Sequence, residues 1–281
     1  LMLTRSLASG KRIIEIMDEE IDIKEDRAEN ISVSRGEIEF SHVYFKYRKD
    51  AKEYVLSDIN LHISAGQTVG IVGQTGSAKS TLVQLIPRLY DVTKGELLID
   101  GRPVEQYPLR HLRDSIAMVL QKNTLFSGTL RENLLWGNKD ATQEEIEEAC
   151  RIAGADEFIG RLEKGYDTEM GQGGVNVSGG QKQRLCIARA ILKKPKVMIL
   201  DDSTSAVDTA TEARIRTMLQ EKLPRMTKII IAQRISSVRH ADMIAVLDDG
   251  RIKGCGTHEE LLESNRIYQE IYESQKEGAD L

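Results

Sequence analysis

Thr68-Val69-Gly70-Ile71-Val72 is the kind of apolar, β-branched run that a strand buried on both faces requires. It leads without a break into Gly73-Gln74-Thr75-Gly76-Ser77-Ala78-Lys79-Ser80-Thr81, and Lys79 to Leu89 reads as a helix. A buried strand, a glycine-rich turn and a helix, in that order, leave few folds open. They are the context in which backbone N–H groups point inward and hold phosphate oxygens, with a helix N-terminus adding partial positive charge. In such a loop Lys79 reaches the β- and γ-phosphates of a nucleotide, and Ser80 ligates Mg2+. A chance glycine-rich turn before a helix is the bland alternative, and the preceding strand argues against it. One position departs from the usual pattern: Ala78 stands directly before the lysine, where glycine is usual. Glycine suits that position because it accepts φ > 0 and lets the backbone approach the phosphates closely. The expectation is nucleotide binding that survives but is weakened.

The rest of the pattern fits a sheet with helices on both faces. Glu37 to Phe45 and Tyr54 to Ile63 alternate roughly polar and apolar, as half-buried strands do. Gly95 to Asp100 and Ile116 to Leu120 are further strand-like runs. Val197 to Leu200, Lys228 to Ala232 and Met243 to Leu247 follow, separated by helical stretches, and Asp248-Asp249-Gly250 is a hairpin turn signal. Thr129 to Lys194 reads as mostly helical, with a capping box at Thr142 to Glu145. Two short helices, Glu259 to Glu263 and Ile267 to Gln275, end the pattern. Strand–helix alternation predicts an α/β fold with a largely parallel sheet. An antiparallel sheet stands at the front and a helical insert in the middle.

Lys196-Val197-Met198-Ile199-Leu200-Asp201-Asp202 is an apolar strand ending in two carboxylates. Its position puts Asp201 at the sheet edge, able to hold Mg2+ through water, and Asp202 where a general base would polarise attacking water. Downstream of the helical stretch, Val177-Ser178-Gly179-Gly180-Gln181 opens another helix, whose exposed N–H groups suit a γ-phosphate.

Few proteins carry both phosphate motifs, and at this point the chain resembles the ATP-binding cassette family. Ser178 to Arg184 is similar to its signature motif. The resemblance covers about residues 7 to 275 and implies a P-loop NTPase core, an antiparallel β subdomain and a helical signature subdomain. It further implies ATP and Mg2+ as ligands, and two such domains closed head to tail, each signature completing the other's site. Tyr47 is similar to the aromatic residue that stacks on adenine. Gln121 is similar to the glutamine that senses Mg2+ and couples to the membrane domain. Ser205-Ala206-Val207-Asp208 is similar to the loop that passes between the two sites. Three stretches resemble exporters in particular: Arg12 to Asp18, Phe126 to Leu134 and Thr168 to Gly174, the last a degraded version of an exporter loop. On this reading residues 1–35 are a linker helix following a membrane domain and 36–275 the nucleotide-binding domain, with its helical subdomain at about 122–194. Residues 276–281 form a tail. The domain would lie at the cytoplasmic face of the cell membrane.

Two further departures accompany Ala78. The resemblance leads one to expect glutamate where Asp202 stands and histidine where Gln233 stands. Aspartate is one methylene shorter, and a misplacement of about 1 Å can cost on the order of 100-fold in rate. Glutamine cannot take up a proton as histidine does. The three together resemble the degenerate half of a heterodimeric exporter, in which the partner is a different chain. A competent homodimer with Asp202 as base is the alternative, and a soluble cassette acting on nucleic acid or the ribosome a more distant one. Net charge is −5, and no basic stripe of the kind a nucleic-acid partner needs is evident. The dense charge run from Asp18 to Glu29 is acidic and reads as a solvated segment. No apolar stretch approaches the ~18 residues that cross a bilayer. Cys150, Cys186 and Cys255 carry no metal or disulfide spacing, and the first two read as small core residues.

Overall fold

The computed structural model describes residues 2–19, 21–201 and 207–277. The chain opens with helix α1 (Met2–Met17), whose Leu7, Ile13, Ile14, Ile16 and Met17 are exposed. Strands β1 (Ile38–Phe45) and β2 (Leu56–Ile63) follow, then β3 (Thr68–Val72), α2 (Lys79–Leu85), β4 (Lys94–Ile99) and β5 (Arg102–Pro103). Next come α3 (Leu109–Asp114), β6 (Ile116–Val119), β7 (Gly128–Thr129), α4 (Leu130–Leu135), α5 (Gln143–Ile152) and α6 (Asp156–Ile159). The second half runs β8 (Glu169–Met170), α7 (Gly179–Leu192), β9 (Val197–Asp201), α8 (Thr209–Lys222) and β10 (Thr227–Ile231). It ends with α9 (Ile235–Val238), β11 (Met243–Asp248), β12 (Arg251–Gly256), α10 (His258–Ser264) and α11 (Arg266–Glu277).

The main sheet has the order β12-β11-β3-β10-β9-β6. Its strands are parallel except for the β11–β12 hairpin, which turns at Asp249 and Gly250. Side chains alternate between two cores. Val69, Ile71, Val197, Ile199, Ile229 and Ile231 face one, shared with α2 and the antiparallel sheet β2-β1-β4-β5. Val72, Met198, Leu200, Ile230 and Val246 face the other, shared with α4 to α8. This two-sided burial is why these strands read as continuous apolar runs.

The front sheet alternates less cleanly for a specific reason. Phe40 pairs with Leu61, but Val43 pairs with Ile59, so one extra residue is inserted near His42, whose φ is 47°. That bulge shifts the alternation by one and keeps Val43 and Phe45 in the core. The Asp100 carboxylate fixes where β1 begins. It accepts from the amides of Ser34, Arg35, Gly36 and Glu37 and from the Ser34 hydroxyl, at 2.7 to 3.0 Å.

The helical region is more broken than the sequence reading of Thr129 to Lys194 implies. β7, just before α4, and β8, upstream of α7, pair as a two-stranded ribbon, with Gly128 opposite Met170 and Thr129 opposite Glu169. The ribbon joins two of the stretches that resemble exporters. The expected capping box at Thr142 and Glu145 is present, and Thr129–Glu132 forms a second. Cys150 is fully buried, and burial pushes its thiol up to about 12. Cys186 is a correction to the sequence reading: it is only half-buried, at the edge of the core, because its helix turns that face outward.

Candidate nucleotide site

Parallel strands deliver their C-terminal ends to one edge, and ligands in α/β sheets bind at that edge. Here the edge receives the loop after β3, Asp201 at the end of β9, the Gln233 loop after β10 and Gln121 just after β6. The register is close: Ile231 of β10 lies beside Ile71 on one side and Asp201 on the other. Sequence positions up to 160 residues apart therefore meet within a few strand spacings.

The phosphate loop is built by close approach. A Cβ on Gly73 would stand 2.0 Å from the Leu247 carbonyl oxygen, so only glycine lets the loop leave the sheet here. The Lys79 side chain lies along the loop, 9% exposed, and Nζ donates to the carbonyls of Gly73 (2.7 Å) and Gln74 (2.8 Å). Ser77 is buried, with its Oγ 3.4 Å from the same amine. Gln74, Thr75 and Gly76 are exposed. No side chain caps α2, so the amides of its first turn are directed at whatever occupies the loop. Ala78 occupies the left-handed region, at φ 73° and ψ 24°. The sequence reading that this position favours glycine is thus met in the backbone itself, and the alanine carries the strain.

Ser80 donates from Oγ to Asp201 Oδ1 at 3.2 Å. Burial pushes the Asp201 carboxyl above the ordinary aspartate value, against the pull of that hydrogen bond and of the Lys79 charge. A hydroxyl and a carboxylate beside a loop of inward amides form a hard-oxygen set suited to Mg2+, which takes few protein ligands and completes its shell with phosphate and water. ATP and Mg2+ fit the residues present: Gly73 to Thr81 as cradle, Ser80 and Asp201 as metal ligands. Bound there, Mg2+ would neutralise charge on the β- and γ-phosphates.

Tyr47, the residue the resemblance marks for adenine, lies against the phosphate-loop helix. It is 50% exposed, its hydroxyl is 2.9 Å from Thr81 Oγ1 on α2, and its ring meets Phe45 and Tyr90 edge-on at 4.9 and 5.1 Å. Sequence reasoning does not single out Tyr90, an exposed aromatic just beyond the phosphate-loop helix that meets Tyr47.

The signature segment lies at the head of α7. Ser178 Oγ accepts from the Gln181 amide (3.3 Å), and Gln181 Oε1 accepts from the Ser178 amide (2.9 Å). A cleft of about 380 Å3 opens there, lined by Ser178, Gly179, Gly180, Arg184, Val207 and Asp208. The structure therefore brings the signature and Asp208 together. Asp208 also has a local duty: it caps α8 by accepting from the Thr211 amide at 2.9 Å, and that bond holds its carboxyl below the usual range. Gln121 and Gln233 are exposed, and neither is without a partner. Asp202, Ser205 and Ala206 lie outside the described residues. A cleft of about 1060 Å3 opens elsewhere, between α5, the end of α7 and the Leu223 to Met226 turn, and its exposed surface is mostly apolar.

The chain is similar to known proteins along most of its length. The chain is 46% identical over 264 residues to a putative multidrug export ATP-binding/permease protein of Staphylococcus aureus, covering 94% of this chain and 46% of that one. It is 45% identical over 277 residues to the putative multidrug export ATP-binding/permease protein YgaD of Bacillus subtilis, covering 96% and 47%. A bacterial Atm1-family ABC exporter with ATP bound superposes with a TM-score of 0.91 at 34% identity, over 97% of this chain and 48% of that one. The chain spans about half the length of the relatives it matches. The pattern of the ABC transporter family matches residues 56–205, which run from the front sheet through the phosphate loop and signature to the end of β9, and the chain belongs to that family.

Proposed function

We propose that this chain is the ATP-binding domain of an exporter. It binds Mg–ATP at Gly73 to Thr81 and closes head to tail on a second such domain, and its Val177 to Gln181 segment meets the nucleotide held by that partner. The observation that carries the reading is the meeting of Ser80, Lys79 and Asp201 at one sheet edge, with Ser80 3.2 Å from Asp201. Tyr47 would take the adenine face. The relatives are named as ATP-binding/permease proteins, which supports a membrane-embedded half as a partner and a place at the cytoplasmic side of the membrane. The exposed, stacked pair Phe126 and Trp136, with ring centroids 4.8 Å apart, is an apolar surface suited to such a partner.

Within this reading, the chain's own site turns over slowly. Ala78 carries backbone strain, Asp202 is a short base, and Gln233 cannot relay a proton. The second reading, a competent homodimer with Asp202 as base, draws on the presence of both a phosphate loop and a signature within one chain. The deciding experiment is ATP hydrolysis by this chain across a wide concentration range, with and without a candidate partner domain. Negligible turnover alone that a partner restores is the expected result. Turnover alone that rises with the square of concentration would make Asp202 a working base and the chain a homodimer.

A further inference from the structure

The loop after β10 is gripped by a residue near the far end of the chain. Gln275, in the last turns of α11, donates from Nε2 to the Gln233 carbonyl at 2.7 Å. Its Oε1 accepts from the Ile235 amide at 2.9 Å. One carboxamide thus holds a carbonyl and an amide on either side of Arg234. The amide it holds is one that needs a partner. Ile235 opens α9, and the residue before it, Arg234, offers no capping side chain. Gln275 caps α9 from 40 residues away in sequence.

The other end of α11 is fastened as well. Asn265 Nδ2 donates to the Lys253 carbonyl of β12 (3.2 Å), and Asn265 Oδ1 accepts from the Tyr268 amide (2.9 Å). Tyr268 is fully buried, with its hydroxyl 2.8 Å from His258 Nδ1. Gln269 Nε2 donates to the Leu262 carbonyl at 2.6 Å. At 1.5 Å rise per residue, the 12-residue α11 is a strut about 18 Å long between the β11–β12 hairpin and the Gln233 loop.

We infer that Gln275 is a positioning residue. By fixing the peptides on both sides of Arg234, it sets the direction from which Gln233 meets the nucleotide edge, where Ile231 already lies beside Asp201. Its effect on turnover rests on the ATPase reading above; its grip on the loop does not. A bland alternative is that Gln275 only anchors the end of α11, and then neither the Ile235 amide nor turnover depends on it.

The test compares Gln275→Ala and Gln275→Glu in this chain, by site-resolved amide exchange and by kcat and KM for ATP, with the partner domain added where it is needed for turnover. The Glu variant keeps an acceptor for the Ile235 amide but sets a carboxylate oxygen against the Gln233 carbonyl. In the Ala variant Ile235 should exchange about tenfold faster while Ile229 to Ile231 keep their protection, which also shows that the fold is intact. In the Glu variant Ile235 should remain protected. In both variants the slow turnover at this chain's own site, read with the partner's phosphate-loop lysine replaced by alanine so that only this site reports, should fall several-fold, with KM within about twofold of the parent, because ground-state binding rests on the phosphate loop. Unchanged Ile235 exchange in the Ala variant overturns the inference, and so do parental kcat and KM beside altered exchange. If no pairing of the parent chain hydrolyses ATP, the functional reading fails and the turnover effect fails with it, while exchange at Ile235 still decides the grip.

Discussion

Two helix N-termini are proposed to serve phosphate in this molecule, and they are made differently. α2 begins after Ala78 in a left-handed conformation with no side-chain cap. α7 begins after Ser178 in an extended conformation, φ −67° and ψ 162°, with a reciprocal capping box to Gln181. The first keeps its donors for a ligand and holds its loop with the Lys79 ammonium. The second satisfies the Gln181 and Ser178 amides internally and presents chiefly Gly179 and Gly180 to the cleft. The phosphate loop is thus a binding device whose shape depends on one charged side chain. The signature is a preformed end that holds itself. Damage to the first should appear in affinity, and damage to the second in stability and in turnover with a partner.

The largest effect should come from Lys79→Ala. The variant loses the charge-assisted bonds to the phosphates and the two bonds that now tie Nζ to Gly73 and Gln74. Mg–ATP affinity should fall on the order of 100-fold, roughly 2.7 kcal/mol, in a direct titration. Far-UV circular dichroism should not change, since α7 and the sheet do not depend on that amine. Parental affinity in this variant would remove the phosphate loop from the binding site altogether.

Ser178→Ala should separate the two ends. Loss of an N-cap serine costs about 1 kcal/mol, which for a domain this size lowers Tm by about 2 °C. Mg–ATP affinity at the chain's own loop should stay within about twofold, because Ser178 is no part of that cradle. Turnover in a paired assembly should fall about tenfold, as donors aimed at the partner's phosphate lose their alignment. A drop in the chain's own affinity equal to the drop in turnover would mean that the signature serves its own nucleotide, contrary to the head-to-tail reading.

How far each end could be read from sequence follows from what holds it. The β3 run, Gly73 to Thr81 and the Asp201 strand end are contiguous signals, and the structure gives them the expected elements. The α7 cap was legible for the same reason, since Ser178 and Gln181 are three residues apart. Legibility fails where the partner is distant. Gly128 and Thr129 pair with Glu169 and Met170 across a stretch that reads as helix, and only tertiary packing makes that ribbon. Asp100 gathers four amides from residues 34–37, and its sequence neighbourhood shows only a turn. The bulge at His42 defeats period-two counting. Gln275 has no local pattern at all, because its meaning lies 40 residues upstream. Asp208 shows the converse: the resemblance marks it for a place between sites, while an aspartate three residues before Thr211 is also a legible helix cap.

Ala78→Gly gives the smallest effect, and it separates binding from chemistry within the phosphate loop. A non-glycine residue in the left-handed region costs about 1 kcal/mol, and glycine removes that cost. Against this, glycine raises the entropy of the unfolded chain by a comparable amount, and the Ala78 methyl packs against the core shared with α2. Stability should therefore move by less than about 1 kcal/mol in either direction, a Tm change of at most about 2 °C. Affinity is where a net gain should remain, because a relaxed loop can bring its amides closer to the phosphates: about threefold tighter Mg–ATP binding by titration, with the Lys79 contacts retained. Tighter binding with turnover still negligible would place the slow step at Asp202 and Gln233. Turnover that rises as steeply as affinity would instead place it in the loop, and the chain's difference from a competent cassette would then reduce to one methyl group.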